Sequence, residues 1–225
     1  MTNKERFIEL LRNTKREGIE KLIDFLEKTD FFTAPASTRF HMSCEGGLLQ
    51  HSLNVYDCLV NLGTTTGDVQ EFQAAGMRLD SIPQESIIIV ALLHDLCKVN
   101  FYATEMRWRK DAHNQWKQYP VYAVNDRNPY GHGEKSVMMA SEFIHLTMEE
   151  RYAIRWHMGM SGANIIQTYC QAAEKYPLVL FTHMADQMAT SYLETNAGNK
   201  KPEDIYLGTE PAAQDPEEFA EAEPI

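Results

Sequence analysis

Apolar positions recur at spacings of three and four along most of the chain, the period of helices that bury one face. The pattern predicts a short N-terminal helix pair over 5–12 and 18–27. A loop follows, "TDFFTAPASTRFHMSCEGG", rich in Thr, Ser, Pro and Gly. A third helix is expected over 48–62, with Leu49, Leu53, Tyr56, Leu59 and Val60 on one side. The next, over 84–98, is entered just after Pro83. Its end reads "IIIVALLHDLCKV": an apolar run that meets His94, Asp95 and Lys98, groups that are costly to bury unpaired. Further helices are expected over 134–144, 148–157, 163–174 and 178–193.

One segment breaks the helical period. Residues 100–124, "NFYATEMRWRKDAHNQWKQYPVYAV", are rich in aromatics and strand formers around a turn-like "DAHN". They read as a two-stranded hairpin inserted in a helical domain. The expected fold is all-α, a helical bundle with a small β-hairpin at about 100–124. Its organisation is a helix pair at 1–30, a main domain at 46–195 that includes the hairpin, and an acidic tail at 208–225. No internal repeat is evident.

Charge refines this reading. Of the formal net charge of −11, six carboxylates without a Lys or Arg lie in 208–225, a stretch with little to pack, which predicts disorder there. Only a modest negative charge remains for the body. That disfavours duplex DNA, whose readers carry a basic footprint, and leaves room for a small anionic ligand. The four cysteines form no CxxC pair, the N-terminus is charged from the start, and no apolar run reaches membrane-spanning length. A cytoplasmic protein with reduced thiols and no membrane contact is expected.

His94 and Asp95 are not alone. His51 stands in "GGLLQHS", in the first turns of a helix otherwise apolar on that side, and Asp186 interrupts the apolar "LVLFTHMADQMA". Three apolar helices each carry a His or Asp where a hydrophobe belongs. One shared divalent cation accounts for all three, since neutral imidazole and carboxylate are standard ligands. Three private hydrogen-bonding solutions are the costlier explanation. Lys98 lies one helical turn beyond His94 and Asp95, so the three can face one point.

The ordered set His51, His94–Asp95, Asp186 resembles the H…HD…D signature of the HD-domain superfamily of metal-dependent phosphohydrolases. The flanks resemble it too: "GGLLQHSLNVYD" the first motif, "LLHDLCK" the usual "LLHDIGK", and "HMADQMA" the last, so that the likeness covers residues 46–193. Cys97 stands where the superfamily usually has Gly. The resemblance implies an HD-domain bundle in which His51, His94, Asp95 and Asp186 hold one metal. In two-metal members, histidines between the HD pair and the last Asp hold a second ion. His132 in "YGHGEKSV" and His157 in "IRWHMG" fall in that interval, with Asp95 bridging; each is otherwise a helix-terminal His bonded locally. One or two ions are thus expected, Mn, Fe, Mg, Ni or Zn.

The implied chemistry is phosphate-ester hydrolysis: a divalent ion lowers the pKa of bound water from about 15.7 to about 7. Lys98 and Asp95 are the expected catalytic side chains, Lys98 by neutralising charge on the phosphoryl oxygens. The substrate is expected to be a nucleotide or similar small phosphate ester. Arg107, Arg109, Trp116 and Lys135 are candidate substrate contacts, because cations interleaved with aromatics can stack a base and meet phosphates. The hairpin can equally be a flap whose aromatics cover the core, and Lys135 an ordinary surface charge. Two other functions remain open: a 3′–5′ exonuclease or phosphodiesterase on short single-stranded RNA or DNA, and a non-catalytic nucleotide sensor. No GYP element follows the HD pair, which disfavours the cyclic-di-GMP-degrading branch.

Overall fold

The centre of the fold is the helix whose sequence has no polar face. In the computed structural model, which describes residues 1–67, 82–160 and 165–194, this helix is α4 (Gln84–Leu93), and every residue from Ser86 to Leu93 is buried. A helix apolar on all sides belongs in the interior. Each Ile or Leu so buried contributes about 1.5–3 kcal/mol. Around it pack α1 (Asn3–Asn13), α3 (Gly47–Gly67), α6 (Met148–Trp156) and α8 (Pro177–Met188), while α2 (Ile19–Lys28), α5 (His132–Ser141) and α7 (Ile166–Lys175) complete eight α-helices among the described residues.

The N-terminal pair belongs to the same core. Phe7, Leu11, Leu22 and Leu26 are buried in one hydrophobic cluster with Leu53, Ile89, Leu92 and Phe181, and the Phe7 and Phe31 rings lie 5.1 Å apart. A capping box starts α1, with Thr2 and Glu5 exchanging side-chain and backbone hydrogen bonds. Gly18 starts α2 at φ +88, where a Cβ would sit 1.9 Å from the carbonyl oxygen of Phe143. No helix among the described residues is long and apolar enough to cross a membrane. The acidic tail expected at 208–225 lies outside the described residues, as does the start of the helix expected at 163–174.

Besides the helix expected over 134–144, which runs His132–Ser141, two helices end earlier than their patterns predict. The helix expected to reach Lys98 stops at Leu93: His94 caps it, Asp95 takes φ −104 and ψ 19, and Leu96–Lys98 form a 3₁₀ turn. The reason is the Cys97 N–H, which donates to Ser136 Oγ on α5 (3.0 Å) instead of continuing the helical ladder. The helix expected to reach Leu193 ends at Met188 and widens into a π-helical turn, Ala189–Leu193, closed by the Glu194 N–H on the Ala189 carbonyl (3.0 Å). Such wide turns often accompany functional sites.

The hairpin forms as read, from β1 (Tyr102–Lys110) and β2 (Trp116–Val124), paired antiparallel from Tyr102↔Val124 to Lys110↔Trp116. Asp111 makes the turn by accepting from the backbone of His113 (2.9 Å) and Gln115 (3.0 Å). The register puts Arg107, Arg109 and Lys117 on one face and Met106, Trp108 and Trp116 on the other. Both faces of the outer half are exposed.

Candidate metal centre

Four mutually packed helices deliver the polar residues to one interior point. His51 sits in the second turn of α3, His94 and Asp95 at the end of α4, His157 at the end of α6, and Asp186 in the last turn of α8. All five side chains are buried. His51 Nε2 lies 3.2 Å from His94 Nε2, 3.2 Å from Asp186 Oδ1 and 3.6 Å from Asp95 Oδ2. His94 Nε2 is 3.5 Å from Asp95 Oδ2, and His157 Nε2 is 3.5 Å from Asp95 Oδ1.

The outer ring nitrogens fix what the inner ones are. The Nδ1–H of His94 donates to the Ala91 carbonyl (2.8 Å), that of His157 to the Ile154 carbonyl (2.7 Å), and that of His51 to Glu194 Oε1 (2.9 Å). With Nδ1 so engaged, each ring points its Nε2 inward, onto a centre that already holds two carboxylates, where the neutral imidazole would offer a lone pair. His157 Nε2 and Asp95 Oδ1 are buried without a hydrogen bond. Converging lone pairs and anions, with orphaned acceptors among them, are a donor set that fits a divalent cation. His51, His94 and Asp95 have ligand atoms within 4.8 Å of one another, and Asp186 joins them through His51.

The electrostatics agree. Burial works against a charged His51, yet hydrogen bonds to Asp186 and Glu194 outweigh it and push its pKa up to about 10. The surround that favours a proton there favours a metal cation in its place. Burial likewise opposes a charged Asp95, but Lys98 and His94 hold it well below the usual carboxylate range; Asp186 is held down chiefly by His51. His94 is lowered, chiefly by burial.

His132 completes a second face of the same carboxylate. Its Nε2 is 2.9 Å from Asp95 Oδ1 without hydrogen-bond alignment, and its Nδ1 is 3.2 Å from Cys97 Sγ. Asp95 thus turns Oδ2 to His51 and His94 and Oδ1 to His132 and His157, the disposition of a bridging carboxylate. His132 differs from the other three in lacking an oxygen acceptor that sets its tautomer, and Asp95, Cys97 and His132 form a separate potential ligand group. Burial pushes the Cys97 thiol up to about 12. Lys98 Nζ pairs with Asp95 Oδ2 at 2.6 Å. Burial opposes its charge, but Asp95 more than compensates, and its pKa is raised.

The centre opens into a cavity of about 660 Å³ whose walls include Ser37, His41, Lys98, Tyr102, His132 and Asp186. The hairpin contributes Tyr102 and Val124, at its base. Three of the sequence candidates lie elsewhere: Arg107, Arg109 and Trp116 are exposed on the outer half, with Trp116 62% exposed, and do not line the cavity. Strand alternation sets their faces but not the distance of the ribbon from the core. Lys135, the fourth, is buried and committed to Asp126 Oδ1 at 2.6 Å, over the Phe101 ring. His183 donates to the His157 carbonyl (2.7 Å), packed against Gly159, whose φ of +70 and missing Cβ admit the ring.

Sequence reasoning missed Glu194. It is buried at the end of the π-helical turn, where its carboxylate meets His51 Nδ1, Asn54 Nδ2 (3.0 Å) and His41 Nδ1 (2.5 Å). Burial opposes the charge, yet the histidine bonds bring its pKa down to about 2. Such outer partners orient a ligand and raise its basicity. Glu194→Gln is expected to weaken Mn²⁺ binding about 10–100-fold, with the melting temperature of the metal-free protein shifted by only a few degrees. Competition against a chromophoric chelator measures it, and unchanged affinity would remove Glu194 from the centre. Comparison of the chain with protein-family models, with curated proteins and with solved structures finds no match.

Proposed function

We propose that the chain is an HD-type metal-dependent phosphohydrolase acting on a nucleotide or similar small phosphate ester. The observation that carries this reading is the inward convergence of three histidine Nε2 atoms on Asp95 and Asp186, with Lys98 beside them. His51, His94, Asp95 and Asp186 would hold one divalent ion; His132 and His157, sharing Asp95, would hold another. Bound there, a divalent ion supplies Lewis acidity toward a phosphoryl oxygen and hydroxide near neutral pH.

The chain's own residues do the rest. Glu194 and the Ala91 and Ile154 carbonyls keep the imidazoles oriented. Lys98, protonated throughout the neutral range, exchanges Asp95 for a phosphoryl oxygen as negative charge grows on it. The cavity, lined by Phe40, Phe101 and Tyr102 beside the polar Ser37 and Thr38, has the size and mixed lining of a mononucleotide site. A cysteine nucleophile is disfavoured, because Cys97 is buried as the neutral thiol.

Lys98→Met is expected to cut phosphate release from nucleoside monophosphates about 10²–10³-fold while metal content stays the same. Turnover undiminished in that variant would remove Lys98 from the chemistry. A sensor would bind the nucleotide in Mn²⁺ without turnover. One observation favours a phosphodiesterase on single strands: Trp108 and Trp116, exposed on one face of the ribbon with Lys110 beside Trp116, and Arg107 and Arg109 on the other face. Arg107→Ala, Arg109→Ala and Trp116→Ala compared on mononucleotide and oligonucleotide substrates test it. Losses confined to oligonucleotides support it; unchanged rates on both make the ribbon a flap.

A further inference from the structure

The cavity shares a wall with a second hollow. A groove of about 440 Å³ between α5 and α6 is lined by Glu134 and Arg155, which also line the cavity. The rest of its lining is Tyr130, Val137, Met138, Met148, Tyr152 and Arg151. Tyr130, Met138 and Met148 are large apolar side chains left exposed. The Tyr152 ring is held in place by stacking on Tyr176 at 5.1 Å.

The shared wall is an ion pair whose cation keeps donors to spare. The Arg155 guanidinium lies over the Trp156 ring, its carbon 4.1 Å from the centroid, and one nitrogen is held by Glu134 Oε1 at 2.5 Å. Gly131, at φ +87, fits against the Glu134 carboxylate, where a Cβ would come within 2.6 Å. A guanidinium carries five donors, and this pair occupies one edge of the fork. Arg151 also lines the groove, so the groove's lining carries two cations to one carboxylate. It also holds methionines, which adapt to varied shapes, and an exposed tyrosine, a surface suited to a base.

We infer that the groove takes the second nucleotide of a terminally phosphorylated dinucleotide. The first nucleotide fills the cavity with its terminal phosphate at the metal centre, and the linking phosphate meets Arg155 at the shared wall. This rests on the phosphohydrolase reading above and narrows its substrate. The groove continues the cavity, is of mononucleotide size, and is entered past a cation, which favours a nucleotide extension over an apolar peptide.

The test compares AMP with the dinucleotide pApA, using the full chain in Mn²⁺, by phosphate release and, with EDTA present, by equilibrium dialysis. The double variant Tyr130→Ala/Met138→Glu alters the groove alone. The expected wild-type result is a kcat/KM for pApA at least 10-fold above that for AMP, carried by KM, with tighter retention of pApA in dialysis. The variant loses that advantage, to within about twofold, with its rate on AMP and its melting temperature unchanged. AMP turned over as well as pApA by the wild type overturns the groove assignment alone. Failure of both nucleotides in both assays sinks the nucleotide reading as well. A variant that instead changes the sedimentation coefficient shows the groove to be a contact between copies of the chain, and overturns the proposal.

Discussion

His94→Ala protein is expected to carry no stoichiometric divalent metal and to release phosphate at least about 10³-fold more slowly than wild type, with its helical circular dichroism retained. The imidazole is fully buried, fixed by the Ala91 carbonyl, with Nε2 facing both His51 and Asp95. Removing a ligand outright costs more than the about 10–100-fold typical of losing an outer partner. The cavity left behind costs about 2–5 kcal/mol, within the stability of an ordinary domain. Asp95→Ala would be harder to interpret. It strips the partner from Lys98, whose side chain is only 12% exposed, and so mixes stability with chemistry. Metal analysis and a phosphate-release assay on His94→Ala decide the matter. Full metal content with full activity would remove His94 from the centre.

The second large effect lies away from the centre. Glu150→Ala is expected to destabilise the fold by about 3–5 kcal/mol, a drop of about 10 °C in melting temperature for a chain of this size. Glu150 is fully buried, and its carboxylate accepts from both Nη atoms of Arg16 (2.7 and 2.8 Å), from Ser86 Oγ (2.7 Å) and from the Thr147 N–H (2.8 Å). Arg16 also reaches Glu85 (3.0 Å) and the His145 carbonyl (3.1 Å), so one cluster ties the α1–α2 junction to α4 and α6. Removing the carboxylate leaves a guanidinium in the interior with one half-exposed carboxylate, Glu85, and the His145 carbonyl as its partners. Differential scanning calorimetry checks this, and a shift below about 2 °C would mean that water reaches Arg16.

The same group sets an acid limit. Burial raises the Glu150 pKa, but the bonds from Arg16, Ser86 and Thr147 outweigh it, so the folded value lies below the usual glutamate range. A depressed folded pKa contributes stability that is fully present above the unfolded value. It is lost as pH falls from there through the folded one. Glu150→Gln should therefore lose least, relative to wild type, at the acid end of the stable range, and most at neutral pH.

How much of this was written locally is clear from individual residues. The apolar run of α4, the turn at Asp111 and the polar intrusions at His51, His94, Asp95 and Asp186 are readable because period and burial are local properties. Glu194 is not, since it meets His51 across 143 positions, and only packing of the π-helical turn against α3 brings it inward. Arg16 and Glu150 meet across 134 positions and leave no trace in the periodicity of either segment. Lys135 looks like a phosphate contact beside His132, but α5 turns it to Asp126. Charge type is legible in a sequence. The partner that neutralises the charge is decided by tertiary packing.

The most direct test is anomalous diffraction from crystals of the full chain grown with Mn²⁺. The account predicts a peak about 2.0–2.3 Å from His51 Nε2, His94 Nε2 and carboxylate oxygens of Asp95 and Asp186. Manganese absent from that point at saturating concentration, or held only elsewhere on the chain, would contradict it.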